Sequence, residues 1–221
     1  MKKMRSTILI TFVLALVAAA GQHSAEANSI NGSVTLSTSG LSGLFELAFI
    51  FTDGSGSGDA NNSVTLNTFQ FGEIGSPGTV DTLLSTGGQS GSLATGVALI
   101  DSAFLNVFAS TFEIGGFLFF KFSFTTNVDA GGTPDQLSFA LLHDDGSPVN
   151  TVDPSGADSL LTVNLDSAHP AISTFASDLT PAPIVTLSAQ APEPDSLLLA
   201  AACFSGLLFG LRRRAVGRAS S

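Results

Sequence analysis

The stretch FLFFKFSFT, residues 117–125, decides the fold class because its side chains alternate in character along the chain. Large apolar side chains occupy every second position from Leu118 to Phe124, and Phe119, Lys121, Ser123 and Thr125 form the opposite face. In an extended chain, alternate side chains point to opposite faces. The stretch therefore predicts a β-strand with one face in a hydrophobic core.

The same alternation recurs over residues 28–180, between turn signals such as Asp53-Gly54 and Gly131-Gly132. No long run has the helical period of 3.6 residues, although residues 102–113 fit either a strand or a short helix. Eight to ten short strands predict an all-β ectodomain, an antiparallel β-sandwich of jelly-roll-like type. Further alternating runs begin at Val34, Phe45, Val64, Leu137 and Leu161.

Two local features refine this prediction. Phe69 is out of phase with Leu66, so a β-bulge is expected near Asn67 and Thr68. Residues 181–190 fit either a linker or a last edge strand, because two prolines precede an alternating run.

The charges are unevenly distributed along the 221 residues, whose formal net charge is −10. Residues 28–191 contain one lysine, Lys121, and 15 acidic residues, which gives this part of the chain a net charge of −14. Such a surface excludes nucleic acid as a partner, because that interaction needs lysine and arginine on the phosphates. The single cysteine, Cys203, lies outside this body, which excludes a disulfide framework there.

The first 27 residues are typical of a secretory signal peptide. Lys2, Lys3 and Arg5 precede an apolar stretch, and Ala25-Glu26-Ala27 fits the small-x-small cleavage pattern. We expect cleavage between Ala27 and Asn28 and export of the body.

The C-terminal segment predicts one transmembrane helix over residues 196–211, which contain no charge. Arg212, Arg213 and Arg214 follow it directly, and positive residues at the end of a span favour the cytoplasmic side. Residues 215–221 would then form a cytoplasmic tail, with the body on the other side of the membrane.

Pro192-Glu193-Pro194, the short apolar span and the arginines together resemble a PEP-CTERM sorting signal, covering residues 191–214. The resemblance implies that exosortase, a membrane-embedded enzyme, recognises Pro192, Glu193 and Pro194 and processes the tail. It implies a cytoplasmic stop at Arg212–Arg214 and transient anchoring in the inner membrane. Carriers of this signal are implicated in exopolysaccharide, biofilm and extracellular matrix.

The body also resembles a PEP-CTERM subfamily with a β-rich ectodomain, through Ser39-Gly40-Leu41-Ser42-Gly43 and Thr111-Phe112-Glu113. The expected function is that of an exported, non-enzymatic cell-surface or matrix protein, structural or adhesive, with exopolysaccharide as a further partner. The alternatives are a calcium-dependent carbohydrate-binding module and a secreted polysaccharide-degrading enzyme.

Candidate catalytic residues are few. His143 lies in His143-Asp144-Asp145-Gly146 and His169 precedes a proline, and both positions favour turns or loops. Neither a Gly-x-Ser-x-Gly elbow nor a zinc-type histidine spacing occurs in the chain. No catalytic residue or resident cofactor is therefore predicted.

Calcium is the better metal candidate, because it takes oxygen ligands. Asp53 and Asp59 flank a glycine- and serine-rich loop, and Asp144 and Asp145 form a second cluster with Asp153. Neither cluster has EF-hand spacing. Asp53, Asp59, Asp144 and Asp145 are thus predicted only as candidate calcium ligands. The alternative is that both clusters are solvated loops that bind no ion.

Overall fold

The computed structural model describes residues 29–56, 58–127, 133–165 and 170–188. The segments whose side chains alternate in the sequence form β-strands in it. All regular elements in these ranges are β-strands, and none of them contains a helix able to span a membrane. The strands are β1 (Ser29–Ser37), β2 (Leu44–Thr52), β3 (Ser63–Gln70), β4 (Ser76–Val80), β5 (Gly88–Ser92), β6 (Gly96–Ile100), β7 (Leu105–Glu113), β8 (Phe117–Thr125), β9 (Gln136–His143), β10 (Leu161–Asn164), β11 (Ala171–Thr174) and β12 (Ile184–Leu187).

The strands form two antiparallel sheets of six strands each. Sheet A has the order β12-β1-β8-β3-β6-β5, and sheet B has the order β11-β10-β9-β2-β7-β4. Strand β1 pairs with β8, β2 with β7 and β3 with β6, so these pairs are nested around the connection from β4 to β5. An all-β fold with two antiparallel sheets is confirmed.

The inner faces of the two sheets meet in an aromatic core. Phe120 from sheet A contacts Phe49 and Phe139 from sheet B, with ring centroids 5.2 and 5.5 Å apart and edge-to-face geometry. Phe49 and Phe139 stack at 5.2 Å within sheet B. All three rings are fully buried. Edge-to-face and offset contacts are the arrangements that aromatic quadrupoles favour, so this cluster holds the two sheets face to face.

The structure confirms one local prediction, decides between the alternatives left open at two places, and contains more strands than predicted. The β3–β8 register shifts between Asn67 and Gln70, and Thr68 has a positive φ of 56°, so the predicted bulge is confirmed. Residues 105–113 are strand, not helix, and residues 184–187 pair with β1 at the edge of sheet A. The described residues hold twelve strands rather than eight to ten.

All four outermost strands, β12, β5, β11 and β4, have only four or five residues. Short edge strands limit the unpaired backbone offered to another chain.

Candidate functional site

All of the predicted sorting residues lie outside the described residues. This applies to Ala27 and Asn28, to Pro192, Glu193 and Pro194, to the apolar span 196–211 and to Arg212, Arg213 and Arg214, and also to His169. Their roles stay predictions from the sequence. The candidate sites that follow belong to the β-body.

The two acidic loops predicted as calcium candidates lie at opposite ends of sheet B. Asp53 follows the last residue of β2, and Asp144 follows the last residue of β9. These strands are antiparallel, and His143 pairs with Phe45 at the start of β2. Seven residue steps of about 3.4 Å separate the two ends, roughly 24 Å. Asp53 and Asp59 therefore cannot share an ion with Asp144 and Asp145.

Three aspartates use the same local device, an Asp-x-Ser turn. Oδ1 of Asp53 accepts hydrogen bonds from the backbone N–H and the hydroxyl of Ser55, both at 2.7 Å. Asp145 does the same with Ser147, at 2.9 and 2.6 Å. Asp153 repeats it with the serine two residues later, at 2.9 and 2.8 Å. A side chain that accepts from the backbone two residues on stabilises a turn.

Burial alone would raise the pKa of Asp53, yet the hydrogen bonds from Ser55, Gly58 and Gly56 outweigh burial and lower it. Burial would also raise the pKa of Asp153, but hydrogen bonds from Ser155 and Ser159 outweigh burial and lower it. These carboxylates are thus ionised turn acceptors with their oxygens occupied.

A different group of polar residues is buried beside Asp53, between the ends of the two sheets. Asn62, before β3, is 2% exposed, while Asp101, after β6, and Asp135, before β9, are 0% and 4% exposed. The backbone N–H of Asn62 donates to Oδ2 of Asp101 at 2.9 Å, and its side-chain amide donates to Oδ2 of Asp135 at 2.8 Å. One asparagine therefore holds two buried carboxyl groups in place.

The network joins the two sheets at this end. Asn62 belongs to the sheet A side, and its Nδ2 also donates to the carbonyl of Asn127, which follows β8, at 2.8 Å. Asp135 belongs to the sheet B side, where its Oδ1 accepts from the backbone N–H of Gly54 at 2.8 Å. A Cβ at position 54 would overlap the Thr133 carbonyl oxygen, so only glycine permits this approach.

Asp101 has the most unusual electrostatic environment in the described body. Burial above all, and then the adjacent Asp135 carboxyl, raise its pKa to about 7, although the hydrogen bond from the Asn62 N–H favours the charged form. Its Oδ1 is buried and has no hydrogen-bond partner. Orphaned buried oxygens are rare and costly. Among the described residues, no three histidine, cysteine, aspartate or glutamate side chains already form a metal-binding group.

His143 lies at the other end of the body. Its ring packs against Phe45, with centroids 5.6 Å apart, and its carbonyl accepts from the N–H of Gly146 in a tight turn. The neighbouring Asp144 and Asp145 are exposed. The predicted turn is thus observed, and the carboxylates beside this histidine face water.

A shallow groove of about 230 Å³ crosses the outer face of sheet A. Lys121 stands in it, opposite Ser33 on β1 and Asn67 on β3. The rest of the lining is mainly small and polar, from Asn31, Ser123, Thr186 and Ser188. This groove presents a cation among hydroxyl and amide groups on a body that is otherwise acidic.

Comparison with known proteins leaves the family open. No family model matches the chain, and no curated protein matches it. One solved structure found is the pilus backbone (RrgB) from Streptococcus pneumoniae, with 11% identity and a TM-score of 0.23 over 74% of this chain. The chain spans 41% of the length of that structure. A likeness at this level supports no statement about fold or function.

The buried pair Asp101 and Asp135 was not predicted from the sequence. Each is an isolated acidic residue at a strand end, 34 positions from the other, so no local motif joins them. The sequence does contain an Asp-x-Ser spacing at Asp53, Asp145 and Asp153. This spacing marks carboxylates that accept hydrogen bonds within turns.

Proposed function

We propose that this chain is an exported bacterial surface or matrix protein that exosortase sorts and processes through residues 191–214. The observation that carries the proposal is the fixed order of Pro192-Glu193-Pro194, sixteen uncharged residues and three arginines, combined with an N-terminal signal peptide. The signal peptide sends the body across the membrane. The arginines keep the last residues in the cytoplasm until processing.

The length of the apolar segment supports a temporary anchor. Residues 196–211 are fewer than the roughly 20 residues of an ordinary spanning helix. After processing near Pro192-Glu193-Pro194, the body would be on the cell surface or in the matrix.

The body supports a structural or adhesive role. Its nested strand pairs favour a jelly-roll-like sandwich. Its aromatic core is buried and its edge strands are short, which suits a rigid module that stays separate at high local concentration. We propose no catalytic role for it.

Replacing Pro192, Glu193 and Pro194 together with alanine tests the sorting motif. The variant should accumulate in the inner-membrane fraction with its tail attached, while the wild-type body reaches the surface or medium. Pro181→Ala is the matched control, because Pro181 is an exposed proline of the same region outside the motif. Equal surface delivery of the triple variant and the wild type would refute recognition of this motif.

The groove around Lys121 favours a second function, binding of acidic polysaccharide. A uronate carboxylate complements the lysine charge, and sugar hydroxyls complement Asn31, Asn67 and Thr186. Lys121→Gln should weaken retention of the protein on a uronic-acid polysaccharide and should not alter its behaviour on a neutral glucan. Retention that is unchanged by Lys121→Gln would remove this groove as the binding site.

A further inference from the structure

Two buried carboxyl groups, Asp101 and Asp135, have no explanation in turn formation. The Asp-x-Ser turns account for Oδ1 of Asp53 and of Asp153, and their Oδ2 atoms accept from the backbone N–H groups of Gly58 and Ser159. Asp101 instead is 0% exposed, accepts one backbone hydrogen bond on Oδ2, and has an orphaned Oδ1. Its carboxyl contacts that of Asp135, which is 4% exposed.

No basic side chain of the described body lies near this pair. The basic residues within the described ranges are Lys121 and His143. Lys121 is exposed in the groove on the outer face of sheet A, and His143 is at the far end of β9 from Asp135. Two adjacent carboxylates taken out of water need a proton or a cation between them.

The oxygen atoms around Asp101 and Asp135 favour a cation that prefers oxygen ligands. The described side chains that hold the pair are carboxylates and the amide of Asn62. Calcium takes six to eight oxygen ligands, including carboxylates, backbone carbonyls and water, in flexible geometry. Asp59 is close enough to add its charge to Asp101, and it sits exposed in the glycine-rich loop after β2.

We propose that Asp101 and Asp135 bind one calcium ion that ties the ends of the two sheets together. The orphaned Oδ1 of Asp101 is the central ligand, and Asn62 orients both carboxyl groups. Asp135, whose oxygens accept hydrogen bonds from Gly54 and Asn62, would bind the ion through its remaining lone pairs. None of the residues predicted from sequence as calcium ligands, Asp53, Asp59, Asp144 and Asp145, is a ligand of this site, and Asp59 adds only its charge near Asp101. The site requires neither tail processing nor polysaccharide, so it stands apart from the proposed function.

The test is thermal unfolding of the full-length chain in mild detergent at mildly alkaline pH, in chelator and in millimolar calcium. A ligand that binds only the native state must raise its stability. At a hundredfold excess over its dissociation constant, calcium should raise the Tm by roughly 5–10 °C. Calorimetric titration should give one ion per chain.

Asp101→Asn removes one of the adjacent charges and keeps the shape of the side chain. This variant should fold in chelator with a Tm at least equal to that of wild type, and calcium should no longer shift it. Asp145→Asn is the matched control, since Asp145 is an exposed turn acceptor at the opposite end, and its calcium response should equal that of wild type.

Three results would overturn the proposal. The wild-type Tm could be unchanged by calcium, which would mean that a shared proton alone neutralises the pair. Asp101→Asn could retain the full calcium shift, which would place the ion elsewhere. Magnesium could give the same shift as calcium, which would mean general screening of an acidic body rather than a specific site.

Discussion

Replacement of Asn62 by alanine should destabilise the body more than any other single polar substitution in the network. The side chain is buried and donates to Asp135 and to the Asn127 carbonyl. Its Oδ1 accepts from the Thr125 hydroxyl at 3.1 Å and from the Asn127 N–H at 2.7 Å. Three neutral hydrogen bonds at about 1 kcal/mol and one to a carboxylate at about 2 kcal/mol give a loss of roughly 3–5 kcal/mol.

The assay is urea unfolding of the full-length chain in chelator. The free energies of unfolding of wild type and variant are compared with the same dependence on urea concentration. A loss of roughly 3–5 kcal/mol is a large share of the 5–15 kcal/mol typical of a domain, so the midpoint should fall visibly. Asn67→Ala is the control, because Asn67 accepts one exposed hydrogen bond, from the Thr68 hydroxyl, and should cost at most about 0.5 kcal/mol. A loss under about 1 kcal/mol for Asn62→Ala would refute the network as a tie between the sheets.

Three further predictions use the same unfolding measurements. Gly54→Ala should cost more than about 2 kcal/mol because its Cβ would overlap backbone atoms, whereas Gly116→Ala, which has open space, should change stability little; equal costs would contradict this. Phe49→Ala should cost about 3–5 kcal/mol, and a cost below about 2 kcal/mol would argue against the aromatic core. The lowered pKa of Asp153 stabilises the fold above the ordinary value of 3.8, and this contribution is lost as the pH falls through the lowered value; Asp153→Asn should therefore lose less stability in acid than wild type, and parallel pH profiles would refute it.

Much of the fold was predictable because central strands carry their burial pattern in the sequence. Strand β8 lies between two neighbours and faces the core with every second residue, from Leu118 to Phe124. The bulge in β3 was predictable for the same reason, because a phase change in alternation requires an extra residue.

The edge strands were harder to predict. Strands β4 and β5 have the sequences SPGTV and GQSGS, which consist of residues typical of turns. Each is held by backbone pairing to one neighbour and buries little apolar surface. Hydrophobic alternation cannot reveal a strand whose stability comes from its partner.

The candidate site was predictable only in part. Clustering along the chain pointed to Asp53 and Asp59, but Asp53 is a turn acceptor. Asp101 and Asp135 meet because β6 ends and β9 begins at the same end of the two sheets, which is a property of the topology. Long-range pairs of this kind carry no local signal.

The most direct test of exosortase sorting is mass spectrometry of both termini of the protein purified from wild-type and exosortase-deficient cells. A mature N-terminus at Asn28 is expected in both strains. The account predicts a C-terminus near Pro192-Glu193-Pro194 in wild-type cells and an intact tail through Arg214 in deficient cells. A tail that is intact through Arg214 in wild-type cells would contradict the account.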